Sequence, residues 1–575
     1  MSLGPQCWRC RKKRLRCDSS VPNCRKCTAA DVDCPGYGDK RPIAWRNPLV
    51  LTDKGIVRVR ENGAHDKPAS ASVMGIICRS PRTVGSELEL RMTADAIEYC
   101  GRLIYYVADN MRVAPDLVPY ATQQSPYQIA PSAVGELAEY VRKSYISISA
   151  LHRFVSREPG TTSSLSSDGS VSSLSVVRSR ARGNPAATDP SDLAELMGAG
   201  DFQSVHFAAQ AAALRALSEE LHKHQANEAA AAAAGADTLH GIMLMLSSQI
   251  QYSAYAPWQA HIHGAWGLIA AQGGMEVLAR MDKDLCRVFQ QIAVVDIFGM
   301  STHHLTETSA RTILSRHASY AMIFDASAID ILNPWTLMPN GLAKALSQIN
   351  MLRAQNTLAP SAASRHEGLS AVLSALDTAS PDSWAKEVAT NATVWVAPGQ
   401  LSEDAESKAA WRALMTAFLN ATVLYAINGL AGLGGTHLRV AASSQEWTTS
   451  LTGREMTAYH ALLASVRFLF DQRTQRRDQR KDETTSDPAA TSAGLLHKFV
   501  IWPMVIGGIQ AALVHRDEEA AAYLCAGMQS IGEELGTVSM IDGARLVEKL
   551  QQSYKNGNEP RSWDDLFDGA PLFLM

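Results

Sequence analysis

CWRCRKKRLRCDSSVPNCRKCTAADVDC, residues 7–34, sets six cysteines in a doubled pattern. C-x2-C-x6-C occurs at Cys7, Cys10 and Cys17, and again, after six residues, at Cys24, Cys27 and Cys34. Six basic residues share the first eleven positions with three of those cysteines. Neither a disulfide framework nor a redox site has a use for so much charge between thiols. A C-x2-C pair can place two thiolates on one metal, because zinc takes sulfurs in a tetrahedron at about 2.3 Å. Two four-coordinate zinc ions need eight ligand positions, and six cysteines meet that need only if two thiolates bridge. A binuclear cluster follows once zinc is assumed. The alternatives are a disulfide framework, an iron–sulfur site, whose usual spacings differ, and a zinc site with no nucleic-acid role.

The charge of the whole chain points the same way. Over 575 residues the formal net charge is only −3, but residues 1–46 hold eleven Lys and Arg against four Asp and Glu, or +7. The remainder is −10. A small basic head on a large acidic body suggests a polyanion-binding module joined to something else. No apolar stretch precedes the basic run, so no signal peptide is expected and the compartment is read as reducing, where clustered cysteines more often hold metal. The two N-A-T triplets at Asn391 and Asn420 are then chance matches.

Arg11, Lys12, Lys13, Arg14 and Arg16 fall between the second and third cysteines, on what should be a short helix held by the metal. Charge fixed there at little entropic cost suits phosphate neutralisation and donation to guanine O6 and N7 in the major groove. Six thiolates on two Zn2+ leave an excess of −2, so the module stays at about +5. A solvated face or a nuclear import signal is the plainer reading of the same run.

Residues 5–37 form the cysteine module. Residues 38–85 are short, polar and broken by Pro and Gly, and read as a linker with one short extended piece, IVRVR. No apolar heptad crosses it, so no dimerising coiled coil is supported. Residues 86–575 read as one all-α domain. ALRALSEELHKH puts Leu214, Leu217 and Leu221 on one face, and YLCAGMQSIGEEL does so with Leu524, Met528, Ile531 and Leu535. Two insertions are expected: a disordered Ser-rich stretch at 156–191 and a charged surface loop at 473–493. The longest apolar run, residues 499–514, is shorter than the roughly 20 residues that span a bilayer. It contains Pro503 and Gln510 and reads as a buried helix, so the protein is expected to be soluble with no membrane partner.

The cysteine module closely resembles the fungal zinc binuclear cluster (Zn2Cys6) transcription factors. No cysteine is out of register, and Asp18 after the third cysteine and Pro22 before the fourth fit the pattern. The resemblance implies two zinc ions per chain, bridged by Cys7 and Cys24, with Cys10, Cys17, Cys27 and Cys34 each binding one. It also implies a CGG-like triplet read at Lys13 and Arg14. Lysine is the usual residue at the second of those positions, so Arg14 is a departure that leaves the triplet less fixed. ISALHRF (148–154), WQAHIHGAWGLIAAQGG (258–274) and FVIWPMVIGGIQAALVHRD (499–517) are similar to landmarks of the helical regulatory domain of one large group of these factors. The resemblance implies a nuclear factor working with the transcription machinery, with activation the commoner behaviour.

Inside the helical domain few residues suggest chemistry. His261 and His263 are two apart and would face different sides of a helix. Asp296, His303 and His304 could converge if the chain turns near Gly299, but core polar packing or a loop is the favoured reading, because no third ligand pattern appears. Trp258, Trp266, Trp502 and Pro503 read as packing residues, and a small-molecule effector site has no residue pattern to support it. No catalytic motif is present, so no enzymatic activity is expected. The leading reading is a sequence-specific DNA-binding transcription regulator. Lys13 and Arg14 would read bases, with Arg11, Lys12, Arg16, Arg25 and Lys26 on phosphates of double-stranded DNA. One triplet is too little information for a genome, so a homodimer or a second DNA contact is expected. The alternative is a zinc-stabilised scaffold or co-regulator whose basic cluster docks protein; concentration of charge on the first helix favours DNA.

Overall fold

The computed structural model describes Cys10, Cys17 and residues 24–30, and then most of the chain from residue 86 onward: 86–100, 131–157, 190–225, 228–255, 257–281, 285–326, 338–386, 405–433, 445–482, 492–557, 560, 562–567 and 572–573. The chain divides into two compact units, Met1–Asp66 and Lys67–Met575. The expected linker, including IVRVR, lies outside the described residues.

In the first unit, helix α1 (Arg25–Thr28) starts at Cys24. The larger unit is built of helices, and no β-strand occurs among the described residues. Helix α2 (Glu87–Tyr99) begins where Ser86 Oγ accepts the Glu89 N–H at 3.2 Å. Glu87 and Glu89 in its first turn face the positive end of the helix dipole. Glu89 is buried because α3 (Glu139–Arg157) supplies its counter-charges: Arg142 Nε at 2.9 Å and Lys143 Nζ at 3.6 Å. After α4 (Pro190–Gly198), α3 packs on α5 (Phe202–Gln225) and α6 (Glu228–Tyr252). Leu217 is buried on α5, with Leu214 and Leu221 packed beside it, as their spacing predicts. The Ser-rich stretch expected at 156–191 begins and ends in helix; its residues 158–189 lie outside the described residues.

Helices α7 (Trp258–Ala271), α8 (Met275–Met281), α9 (Leu285–Ser301) and α10 (Glu307–Ala326) follow, then α11 (Asn340–Leu358) and α12 (Ala362–Asp377). Gly299 lies within α9, so the turn on which a convergence of Asp296, His303 and His304 depended does not occur there. A Cβ there would stand 2.3 Å from Trp258 Cζ2, so the glycine makes room for a fully buried indole. Trp502 and Pro503 are buried and Trp266 is half-buried, in keeping with packing roles.

Helix α13 (Ala405–Ala431) lies along α14 (Gln445–Asp482). Residues Lys408–Ala431 are long and apolar enough to cross a membrane by length and composition, but 78% of their apolar window is buried inside the fold. Helix α14 corrects a sequence expectation: it continues to Asp482, through the first part of the stretch read as a charged loop. The apolar run forms α15 (Ile501–Ile509), buried at every position, and ends in one π-turn, Gln510–His515. Gln510 is tolerated there because its amide is satisfied: it accepts from Asn428 Nδ2 at 2.8 Å and donates to Glu455. Helix α16 (Glu518–Leu535) is capped by Asp517 and stopped by Gly536 at φ 62°, and α17 (Val538–Lys555) follows at once. Leu524, Met528 and Ile531 on α16 are fully buried.

Candidate metal centre and nucleic-acid interface

The C-x2-C spacing has a local mechanical reason. Cys24 takes extended backbone (φ −73°, ψ 146°) as the N-cap of α1, so its sulfur accepts the Cys27 N–H at 3.3 Å. That hydrogen bond orients the sulfur and stabilises negative charge on it. Cys10, Cys17, Cys24 and Cys27 are all buried together in a unit too small for a hydrophobic core of its own.

The sulfurs of Cys10, Cys17 and Cys24 lie within 4.8 Å of one another, and those of Cys10 and Cys24 are 3.7 Å apart. A disulfide needs about 2.05 Å. Sulfurs at 2.3 Å from one tetrahedral zinc stand about 3.8 Å apart. The thiols therefore fit a metal and not a disulfide. Three cysteines 14 positions apart at the extremes converge on one point. Cys27 stands outside that group. Among the described residues this is the group with three or more clustered metal-ligating side chains.

Arg25 and Lys26 sit between Cys24 and Cys27, exposed on α1. Cys7, Cys34, Arg11, Lys12, Lys13, Arg14 and Arg16 lie outside the described residues.

The candidates in the helical domain assemble no such group. His263 is exposed and accepts from Arg316 Nη2 at 2.8 Å, whereas His261 lies on another side of α7, where burial pushes it down to about 4. Asp296 is buried and taken up by α10: Tyr320 Oη donates to it at 2.6 Å, and Arg316 and His317 stand 3.7 and 3.8 Å away. His304 donates to the Asp564 carbonyl at 3.2 Å, and burial and the nearby Arg353 charge push His303 down to about 4. Asp296 and His304 thus serve separate packing contacts, and His303 joins neither of them in a ligand group. Sequence reasoning missed Arg353 and Glu89, each buried with a partner far away in sequence, a pairing no local pattern announces.

Comparison with known proteins accords with this division. Residues 6–42 match the model of the fungal Zn(2)-Cys(6) binuclear cluster domain, and residues 103–452 that of the fungal specific transcription factor domain. Over 579 aligned residues the chain is 22% identical to the phomenoic acid biosynthesis cluster-specific transcriptional regulator of Leptosphaeria maculans, covering 99% of this chain and 89% of that protein. It is 30% identical to the arginine metabolism regulation protein II of Saccharomyces cerevisiae over 67 residues, or 12% of this chain and 7% of that protein. No solved structure matches the chain.

Proposed function

The chain belongs to the fungal specific transcription factor family and is a zinc-binding, DNA-binding regulator of transcription; we propose that it holds two zinc ions in one six-cysteine cluster and reads a CGG-like triplet. The observation that carries the reading is the convergence of Cys10, Cys17 and Cys24 at zinc-ligand spacing, with Cys27 outside the group. That division suits one ion held by Cys7, Cys10, Cys17 and Cys24 and a second by Cys24, Cys27, Cys34 and Cys7. The ions would supply charge neutralisation and fix the fold; recognition belongs to the side chains around them.

In this reading Lys13 and Arg14 donate to guanine O6 and N7, where one good bidentate contact discriminates by about 1–3 kcal/mol. Arg11, Lys12, Arg16, Arg25 and Lys26 hold phosphates and make affinity fall with salt. The exposure of Arg25 and Lys26 beside the thiols supports that role. The protein acts in the nucleus as an activator, through contacts of the helical domain with the transcription machinery, and uses a homodimer or a second DNA contact to add site information. Whole-length likeness to a cluster-specific regulator supports control of a set of genes rather than a general role.

The test is a pair of substitutions in the zinc-loaded protein. Arg14→Ala should relax base preference, while Lys12→Ala should weaken binding evenly across sequences and flatten the salt slope. An even loss from Arg14→Ala would contradict the base-reading assignment.

A further inference from the structure

Arg316, buried on α10, stands between two acceptors, one exposed and one buried, and bonds the exposed one. Its Nη2 lies 2.8 Å from His263 Nδ1 on α7. A guanidinium has donors and no acceptor, so this bond fixes the ring: Nδ1 accepts and His263 is neutral. On the other side Nη1 is 3.7 Å from Asp296 Oδ2 on α9, an ion pair beyond hydrogen-bond reach. Asp296 Oδ2 accepts from Tyr320 Oη at 2.6 Å, while Oδ1 is buried with no hydrogen-bond partner among the described residues. Leaving a carboxylate oxygen without a donor at that depth is costly, so the arrangement holds a cation just short of the acceptor that needs it.

The frame around Arg316 is held by a second chain of bonds. Trp266 Nε1 on α7 donates to Tyr320 Oη at 3.0 Å, and Tyr320 in turn donates to Asp296. These three helices stay joined whether or not Arg316 keeps its bond to His263. Arg316 is therefore the part with two positions. A protonated His263 has donors on both nitrogens and a positive charge beside a guanidinium that never gives up its own. The bond then becomes a repulsion. An advance of about 1 Å would bring Nη1 from 3.7 Å to charge-assisted bonding distance of the carboxylate, about 2.8 Å.

We propose that His263, Arg316 and Asp296 form a proton-sensitive latch in the helical unit: with His263 neutral, Arg316 ties α10 to α7, and with His263 protonated it releases α7 and closes on the Asp296 carboxylate. The proton enters from solvent at the exposed ring and leaves by the same route. The latch does not depend on the DNA-binding reading. Partial burial and then the Arg316 charge hold His263 below its ordinary value near 6.5, against the pull of Asp296. Among the described residues, the other titratable groups around Asp296 are His317, with Nε2 at 3.8 Å, Tyr320, and His303, which feels it through its charge. Burial holds His317 and His303 at about 4 and pushes Tyr320 well above its ordinary value, so none of them changes charge before His263 as pH falls. The tie to α7 is therefore complete above pH 6.5 and is lost below it.

Trp266 is the reporter, because its ring centroid lies 6.0 Å from the Arg316 guanidinium carbon. Emission of the full zinc-loaded chain is recorded from about pH 7.5 to about pH 5, and that of its Trp266→Phe counterpart is subtracted to remove the other tryptophans. The difference spectrum should change in a transition of about one proton with a midpoint below 6.5. His263→Gln offers an amide oxygen that accepts from Arg316 at every pH, and should abolish the transition. His263→Lys places a permanent cation there, and should show the acid spectrum already at the neutral end. Both substitutions fall at an exposed position, and circular dichroism at each pH checks that the helices persist. The same transition in His263→Gln as in wild type would overturn the proposal and assign the proton to another group. A flat wild-type difference spectrum across the range would overturn it as well.

Discussion

Arg353, buried on α11, donates to the carboxylate of Asp564 at 2.7 Å and so fastens the segment after α17 onto the helical core. The same guanidinium donates to the Met300 carbonyl at 3.0 Å, the His303 carbonyl at 3.2 Å and Tyr425 Oη at 2.7 Å. Asp564 also accepts the Leu305 N–H at 3.0 Å. Around this pair, Trp563 Nε1 donates to the Ser301 carbonyl at 2.7 Å, and Phe573 N–H donates to the Ala254 carbonyl at 2.7 Å. One ion pair thus joins elements more than 200 positions apart in sequence.

Removing the carboxylate should expose the dependence. Asp564→Ala leaves a buried guanidinium short of its counter-charge and should cost about 2–4 kcal/mol, discounted from a fully buried pair because Asp564 is partly exposed. Asp564→Asn should cost less. Denaturant unfolding followed by helical circular dichroism reads both, and DNA affinity of the folded protein should not change. Unaltered midpoints in both variants would show that the pair is not a fastening.

Acid should destabilise the helical unit at mild pH. Burial pushes His206 and His317 down to about 4 from an ordinary value near 6.5, and His152 and His261 likewise. Their folded-state affinity for protons is below that of the unfolded chain, so the unfolded state takes up more protons between pH 6.5 and 4. Their contribution is complete above pH 6.5 and is lost as pH falls through that window. Asp542 has the opposite sign: burial pushes it up to about 6 despite hydrogen bonds from Ala254 N–H and Ser253, so the folded state gains protons there first. Asp542→Asn should steepen the acid loss, and His206→Gln should make it shallower by about one proton. Unfolding midpoints from pH 7.5 to 4.5 measure the slopes.

Gly299→Ala should be costly although alanine favours helices. The new methyl would occupy the space of the Trp258 ring, which also packs against Phe573 with ring centroids 5.6 Å apart. The expected cost is about 1–3 kcal/mol, read as a lower unfolding midpoint. A midpoint at or above wild type would mean that the indole moves aside freely.

Cys17→Ser removes one of three converging thiols. Zinc content should drop and the first unit should unfold, while the helical signal of the larger unit persists. Metal analysis beside circular dichroism separates the two, and a normal zinc count in this variant would contradict the cluster.

What the sequence disclosed depended on the range of the interactions. The cysteine repeat is local, so the spacing of Cys10, Cys17 and Cys24 announced the clustered thiols. Apolar spacing similarly revealed the buried faces of α5 and α16, where Leu217, Leu524 and Met528 lie. Charge misled at 473–482, because polar composition resembles a loop unless the register of the cations is examined. The role of Gly299 was not legible because its cause is a tryptophan 41 positions earlier. The Arg353–Asp564 and Glu89–Arg142 pairs had no local signature at all; only the packing of distant helices brings them together.

Selection from random duplex DNA by the full zinc-loaded chain is the decisive measurement of sequence-specific recognition by the zinc cluster. Recovery of a CGG-like triplet is expected, with binding abolished by zinc chelation. Salt-sensitive binding that recovers no motif would contradict it and point to a basic cluster that docks something other than a DNA sequence.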